Sequence, residues 1–245
     1  MMKLLVFPHS HYCEKARWVL DYKKIAYDPI AIMPGLHMLT VRRYGKRTSV
    51  PVLLDGNDAI QGSSEIIDYL EDKCPDNNLT PANAEQLDVC LSIEKDMDKR
   101  LGENIRQILY ARLLDYPDYI RFCFTYSMSS IKQFMFTLTY PVLKRKIYDT
   151  YVMSDEKVAE ARIVFDEALA KIEATISKQP YLLGDTFTRA DLSVASMLSL
   201  LVLPKEHPFP WDEKEIPDAE IKALFETYAD HPVAEWVRNI YRHHR

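Results

Sequence analysis

Hydrophobic and polar positions alternate in short blocks along the first eighty residues. The apolar run 4–7 predicts a buried strand, and apolar residues at helical spacing over 12–20 predict a helix directly after it. Residues 27–32 predict a second strand, and Pro29 indicates that it is either an edge strand or an irregular one, because proline has no N–H to donate. This beginning is typical of an open sheet layered with helices.

Two further apolar runs, 50–54 and 59–61, flank a glycine-containing turn and predict a β-hairpin. A weakly helical segment precedes them. Helical spacing returns after the hairpin, and we expect either Ser63 or Ser64 to cap that helix by accepting an exposed backbone N–H. The predicted order of elements is therefore β-α-β-α-β-β-α.

Strand signals disappear after a polar, proline-bounded connection, and we place a domain boundary there. The predicted domains are 1–78, which contains the sheet, and 84–245, which is helical throughout. In the second domain, 155–176 predicts a long amphipathic helix. Thr188, followed three residues later by Asp191, predicts a capping box at the start of another helix.

The segment 110–151 is unusually rich in aromatic residues and methionine. Its apolar content is too high for a solvated loop. We expect most of it to pack in a core, and the alternative is that it lines a hydrophobic pocket.

Composition narrows the classes of function. A net charge of -5 without an extended basic block argues against nucleic acid as a partner. No apolar run approaches the roughly 20 residues of a membrane span, and Pro8 interrupts the first run, so neither a span nor a secretory signal is expected. The four cysteines have the spacing of neither a disulfide scaffold nor a zinc site. We expect a reducing, cytoplasmic location.

The segment 3–17 is the most informative part of the chain, because a strand runs there through a polar turn into a helix. Ser10 and Cys13 occupy the two positions at which thioredoxin-like proteins carry Cys-x-x-Cys. Serine at the first position removes dithiol redox chemistry but keeps a hydroxyl at a helix N-terminus. That combination predicts a protein that binds a thiol and holds it as thiolate.

Other functions of the same turn remain open on the residues alone. Ser10 could do no more than cap the helix, and Tyr12 or Cys13 could supply the reactive group instead. Hydrolysis by Ser10 with His9 or His11 as base would need an orienting group and an oxyanion hole. The same histidines and Cys13 would not converge across a strand-to-helix turn, so we predict no metal site.

Three separated segments, 10–15, 49–53 and 62–66, carry motifs that in this order resemble the cytosolic glutathione S-transferase family. The Thr188-to-Asp191 box resembles a feature of that family's C-terminal domain. The resemblance extends over nearly the whole chain. It implies an α/β thioredoxin-like N-terminal domain followed by an all-α helical C-terminal domain.

The resemblance also implies individual roles. Ser10 is expected to be the catalytic residue that contacts the glutathione sulfur. Val50 and Pro51 are expected to be joined by a cis peptide bond and to pair, like a strand, with the cysteinyl part of glutathione. Ser63 is expected to receive the γ-glutamyl carboxylate at a helix N-terminus.

The chain departs from the family pattern immediately before that serine. The family usually carries Glu or Gln there, whereas this chain has Gly62. We expect Glu65 or Gln61 to contact the γ-glutamyl amino group instead, and we include Ser64 in the expected site.

The function implied by the resemblance is conjugation of glutathione to small hydrophobic electrophiles, with a role in detoxification. Glutathione would be a co-substrate, and no cofactor is expected. The alternative is a non-catalytic protein of the same fold that binds glutathione or hydrophobic ligands. A glutaredoxin-like enzyme would require cysteine at position 10. The family also implies a homodimer, in which the sheet domain of one subunit meets the helical domain of the other about a two-fold axis.

Overall fold

The computed structural model describes the backbone of residues 1–245 and every side chain except that of Glu213. Its packing divides the chain into two compact units, Met1–Asn77 with Pro117–Leu143, and Asn78–Tyr116 with Lys144–Arg245. Residues 117–143, which the predicted domain division assigns to the helical domain, thus pack with the sheet. The division into 1–78 and 84–245 stays a prediction about folding domains.

Four short strands form the sheet of the first unit. They are β1 (Met2–Val6), β2 (Tyr27–Ala31), β3 (Val52–Asp55) and β4 (Asp58–Gln61). Their order is β2-β1-β3-β4, with β2 parallel to β1 and the other two pairs antiparallel. β2 is therefore an edge strand, one of the two alternatives that Pro29 indicated, and β3 and β4 form the predicted hairpin.

The register of these strands brings several chain segments to one end of the sheet. Leu5 lies opposite Val52, and Val52 lies opposite Gln61. The end of β1, the start of β3 and the end of β4 therefore lie side by side. The turn after β1, the segment before β3 and the segment after β4 all leave the sheet at this edge.

Helices account for most of the remaining chain. They are α1 (His11–Tyr22), α2 (His37–Val41), α3 (Ser63–Lys73), α4 (Ala84–Met97), α5 (Asn104–Leu113), α6 (Pro117–Thr125), α7 (Ser130–Ile147), α8 (Asp155–Ile176), α9 (Arg189–Val202), α10 (Ala219–Ala229) and α11 (Pro232–His244). Asp98–Glu103 and Tyr148–Val152 are π-helical, and Trp211–Glu213 is a 3-10 turn. Among the described residues, no helix has both the length and the apolarity needed to cross a bilayer.

Both faces of the sheet are covered. Leu4 and Leu5 point to opposite faces because they are neighbours in a strand, and both are buried. Leu5 packs with Val52 and with Val41 of α2. The ammonium of Lys23, at the end of α1, donates to the Cys74 carbonyl at 2.8 Å, and this bond caps the C-terminus of α3.

The second unit is a helical bundle built around α9, which is buried along nearly its whole length. The predicted capping box is present, with Thr188 and Asp191 bonding to each other's backbone. A buried ion pair joins Arg189 to Glu94 of α4, with Nε and the carboxylate oxygen 2.6 Å apart. Because these charged groups are nearly inaccessible to water, each needs its partner.

The aromatic-rich segment is divided between the two expected environments. Phe124, Phe136 and Tyr140 are buried, so part of the segment is core, as expected. Phe134 and Leu138, in contrast, are 64% and 66% exposed on α7. The expectation of core packing therefore fails for the outer side of this helix.

Candidate functional site

Ser10 lies at the point where the chain leaves β1 and enters α1. Its extended backbone makes it the N-cap, and its hydroxyl oxygen accepts from the Cys13 N–H at 3.4 Å. Its carbonyl accepts from the Glu14 N–H at 2.8 Å. The first-turn N–H groups and the helix dipole favour negative charge at this position, and the partly exposed hydroxyl lies beside them.

Cys13, the other residue of the predicted pair, is in a different environment. It is fully buried in α1, and burial raises the pKa of its thiol. Neighbouring groups, first Arg17 and then the Ser10 side chain, oppose this rise but do not cancel it. A buried thiol that stays protonated is a poor nucleophile, so this geometry favours Ser10 over Cys13 as the group that meets a ligand.

Val50 and Pro51 lie directly before β3 at the same sheet edge. The peptide bond between them is cis, as the resemblance implies. The Pro51 carbonyl accepts from the Gly62 N–H at 3.0 Å, which continues the hairpin by one step. Among the described residues, no hydrogen bond uses the N–H or C=O of Val50. These groups are available to an extended peptide ligand.

The N-terminus of α3 adjoins Pro51 through Gly62. Neither serine caps this helix, contrary to prediction: the N-cap is Gly62, which has no side chain to offer. Ser63 is the first helical residue, and within the described chain its hydroxyl has no hydrogen-bond partner. The Ser64 hydroxyl accepts from the buried ammonium of Lys15 at 3.0 Å. Uncapped N–H groups together with a cation below them form a site suited to a carboxylate.

The carboxylate of Glu65 lies over Gly62, in the space that a side chain on residue 62 would occupy. Gly62 has a φ of 118°, a conformation that side chains disfavour, which explains glycine at this position. The guanidinium of Arg47 pairs with Glu65 at 2.6 Å and also donates to the Gln61 carbonyl. Glu65 thus brings a carboxylate to the place that the resemblance assigns to a Glu or Gln side chain at position 62.

Gln61, the other expected substitute, has a different task. Its amide donates to the carbonyls of Arg47 and Ser49 at 2.8 and 2.9 Å, and its oxygen accepts from the Arg47 N–H. The side chain therefore fixes the loop that leads to Val50. Of the two predicted alternatives, Glu65 is the one whose carboxylate lies beside Gly62.

An aromatic row that sequence reasoning missed borders the Ser10 turn. The Phe7 ring meets His37 edge-on at 4.8 Å, and His9 stacks on Phe124 of α6 with centroids 4.6 Å apart. Phe124 in turn meets Phe136 of α7. The aromatic density of 110–151 was the available signal, but it gave no indication that this segment packs against the turn.

The remaining candidates at the turn have structural partners. His9 directs Nδ1 to the Cys123 carbonyl at 2.8 Å, and the Tyr12 ring tilts against His11 at 4.4 Å. No cluster of three or more His, Cys, Asp or Glu side chains that could hold a metal ion occurs in the described part of the chain.

Several solved structures share this architecture. Beta-etherase LigF from Sphingobium sp. strain SYK-6 has a TM-score of 0.64 and 19% identity over 98% of each chain. A glutathione S-transferase from Methylobacillus flagellatus KT, with glutathione bound, has a TM-score of 0.60 and 17% identity over 97% of this chain and 98% of that one. A theta class glutathione S-transferase from Xanthomonas axonopodis pv. citri, with glutathione bound, has a TM-score of 0.57 and 17% identity over 96% of this chain and 95% of that one. At these identities the likeness establishes the fold.

Sequence comparison identifies the family. Among curated proteins, no sequence matches this chain significantly. The family model described as glutathione S-transferase, N-terminal domain, matches residues 4–78, and the one for the C-terminal domain matches 155–220. The first match contains the Ser10 turn, the cis bond at Pro51 and the α3 N-terminus, and the second contains the capping box. With the shared fold, these matches place the chain in the glutathione S-transferase family.

Proposed function

We propose that the protein is a glutathione transferase that holds the glutathione thiolate at Ser10 and directs it onto small hydrophobic electrophiles. One observation carries this proposal. The strand register brings the Ser10 turn, the open backbone groups of Val50 and the N-terminus of α3 to the same sheet edge. These are the three kinds of contact that a γ-glutamyl, cysteinyl peptide needs.

In the proposed complex, the cysteinyl N–H and C=O pair with Val50 beside Pro51. The γ-glutamyl carboxylate lies at the N-terminus of α3, where it accepts from Ser63 and from the uncapped backbone. Lys15, behind Ser64, adds positive charge to the same place. Glu65 accepts from the γ-glutamyl amino group.

The proposed role of Ser10 follows from its hydrogen bonding. Its oxygen accepts from the Cys13 N–H, which leaves the hydroxyl hydrogen free to turn toward a ligand. Donated to the glutathione sulfur, that hydrogen stabilises the thiolate together with the α1 dipole. The thiol proton passes to solvent when the thiolate forms. The thiolate then forms the new C–S bond while the electrophile either releases its leaving group with the electron pair or opens a double bond that takes up a proton from solvent. Ser10 keeps its own proton.

The acceptor is proposed to be hydrophobic because aromatic rings border the turn. Phe7 and His37 are partly exposed and meet edge to face, and Phe124 packs behind His9. Apolar rings beside a charged sulfur favour an uncharged, flat or aliphatic electrophile.

A non-catalytic ligand-binding protein is the second candidate. The observation that favours it is Gly62, which stands where the family has Glu or Gln. A carrier would bind glutathione without lowering the pKa of its thiol, and an electrophile would not be consumed.

The test combines calorimetric titration with glutathione and ultraviolet absorbance of the bound thiolate. We expect binding with a thiolate signal near neutral pH. Ser10→Ala should lower the conjugation rate about tenfold to a hundredfold with little change in affinity, because the lost hydrogen bond serves the charged sulfur. Ser92→Ala, at an exposed position on α4, is the matched control.

Ser63→Ala should instead weaken glutathione binding, by about 1 to 3 kcal/mol for a lost bond to a charged group. Binding without thiolate would favour the carrier. A Ser10→Ala enzyme with the wild-type rate from pH 6 to 8 would contradict the catalytic role. The absence of binding at millimolar glutathione would contradict both the transferase and a glutathione carrier.

Two further parts of the proposal concern assembly and location. We propose a homodimer, which light scattering would measure directly. Cys13, Cys74, Cys90 and Cys123 are all free thiols, which supports the proposed reducing, cytoplasmic location.

A further inference from the structure

Helix α7 is apolar on two opposite sides. One side packs into the protein through Phe136 and Tyr140, which are 0% and 7% exposed. At 100° per residue, the opposite side carries four large apolar residues that are between 64% and 77% exposed. These residues, named here the outer stripe, are Ile131, Phe134, Leu138 and Val142.

A helix that packs only one side normally presents polar residues to water on the other. Scattered apolar residues on a surface need no explanation, but successive turns of one helix face form a continuous patch. Met135, 42% exposed, widens the same patch. The outer stripe therefore has the form of a contact surface.

The charge on this helix has one sign. Its sequence contains Lys132, Lys144, Arg145 and Lys146 and no carboxylate, although the whole chain has a net charge of -5. Lys144 pairs with Asp115, and Arg145 has a long, exposed contact of 3.8 Å with Asp149. Exposed pairs of this kind contribute little stability, so these side chains can exchange their carboxylate partners for others.

A second basic segment adjoins the helix. A side-chain carbon built on Gly35 would lie 3.8 Å from Leu143, which is on the Phe136 side of α7, so the chain entering α2 passes beside the packed side of that helix. Leu39 is 69% exposed there. The exposed Arg42 and Arg43 have no ion pair among the described residues. Residues 29–54 contain no Asp or Glu.

The exposed apolar stripe and the positive charge around it together indicate which kind of partner this surface binds. A second copy of the same surface would bring cations against cations, with no carboxylate on either helix to offset them. An anionic lipid bilayer offers hydrocarbon for the outer stripe and phosphate for the surrounding Lys and Arg. We propose that α7 is an interfacial anchor that lies flat on anionic lipid membranes through the outer stripe.

The proposal goes beyond glutathione chemistry and does not depend on it. Such an anchor inserts only one face into the headgroup region, so it needs no membrane-spanning helix.

Vesicle co-sedimentation tests this anchor. The full chain should sediment with vesicles of phosphatidylcholine and phosphatidylserine, remain free with phosphatidylcholine alone, and be released by high salt. Leu138→Gln should weaken sedimentation about tenfold, because it removes one apolar side chain that the proposal inserts into the bilayer. Ile163→Gln, which changes an aliphatic residue 60% exposed on α8, is the matched control and should sediment like the wild type.

A charge test is independent of the stripe. Arg145→Glu with Lys146→Glu, at exposed positions that flank the outer stripe on α7, should abolish sedimentation, whereas Lys178→Glu with Lys205→Glu, an equal change in net charge at exposed positions, should not. Absence of sedimentation with anionic vesicles overturns the proposal. The proposal is also overturned if either test variant and its matched control lose sedimentation to the same extent. A Leu138→Gln protein whose mass by light scattering falls without lipid overturns it as well, since the stripe would then join two copies.

Discussion

The imidazole of His9 lies flat on the ring of Phe124, with centroids 4.6 Å apart and planes 7° from parallel. Its Nδ1 lies 2.8 Å from the Cys123 carbonyl, which can only accept, so this nitrogen carries a hydrogen. Through these two contacts, the residue immediately before Ser10 is joined to α6. A helix that neither family match includes therefore supports the turn that carries the proposed catalytic hydroxyl.

His9→Ala should lower the free energy of unfolding by about 2 to 3 kcal/mol, because it removes the stack and leaves the Cys123 carbonyl without its buried donor. Urea denaturation measures this change. His9→Phe keeps a ring over Phe124 but loses the donor, so its free energy of unfolding should lie between those of the wild type and His9→Ala. His243→Ala, on the exposed side of α11, should change stability by less than about 0.5 kcal/mol. Equal stabilities for His9→Ala and His243→Ala would show that α6 is held by other contacts.

Glu65→Ala should weaken glutathione binding about tenfold to a hundredfold, because it removes the proposed charge-assisted bond to the γ-glutamyl amino group. Glutaryl-cysteinyl-glycine, which lacks that amino group, isolates the effect. Its affinity should be the same for wild type and variant in calorimetric titration.

The control for this experiment is Asp72→Ala, which removes an exposed carboxylate from the same helix. It should leave both affinities unchanged. If Glu65→Ala weakens the two ligands equally, Glu65 acts by holding Arg47 and the loop, and not by contacting the amino group.

Much of this site could be predicted because its determinants are local. A strand, a polar turn and a helix fix the place of Ser10, and a hairpin signal fixes the register that brings Pro51 beside it. The Glu65 carboxylate over Gly62 was one of two alternatives. Sequence could not decide between them, because the choice depends on the positive φ of Gly62 and on Gln61 bonding to the loop.

The position of α6 and α7 could not be predicted for a different reason. Helix α7 has apolar residues on both sides, such as Phe136 on the buried side and Phe134 on the exposed side. This removes the one-sided periodicity from which a buried face is inferred. The contact between His9 and Phe124 joins residues far apart in sequence, and no local pattern encodes it. Serine as the α3 cap failed because Gly62, one residue earlier, takes that position.

Asp191→Ala should destabilise the protein by about 2 to 4 kcal/mol. Its carboxylate accepts from the Leu182 N–H at 2.7 Å and from the Thr188 N–H and hydroxyl at 2.8 Å, all in a buried place. Removing it loses a cap and leaves buried donors unpaired. Asp185→Ala, an exposed neighbour, should have almost no effect. Urea denaturation with an unchanged m-value measures the loss, and similar midpoints for the two variants would contradict it.

Stability should fall as the pH decreases from 7.5 to 5.5, in part because of His244. Its ring stacks on Phe187 at 3.9 Å, and its Nε2 lies 2.9 Å from the Tyr181 hydroxyl. Burial, followed by the charge of His243, lowers the pKa of His244. The unfolded chain, in which this pKa is about 6.5, therefore takes up its proton first on acidification, and unfolding becomes easier.

Because the ring remains partly exposed, this loss should be well below the ~1.4 kcal/mol of a full pKa unit. His244→Phe keeps a ring against Phe187 and cannot titrate, so its unfolding free energy should depend less steeply on pH over this range. His243→Gln, at an exposed position, should retain most of the wild-type slope, because burial, the larger cause of the lowered His244 pKa, is unchanged, and should lose only the smaller part that comes from the charge of His243. Denaturant titrations at both pH values measure the slopes. Equal slopes for wild type and His244→Phe would mean that folding does not favour the neutral form of the His244 imidazole.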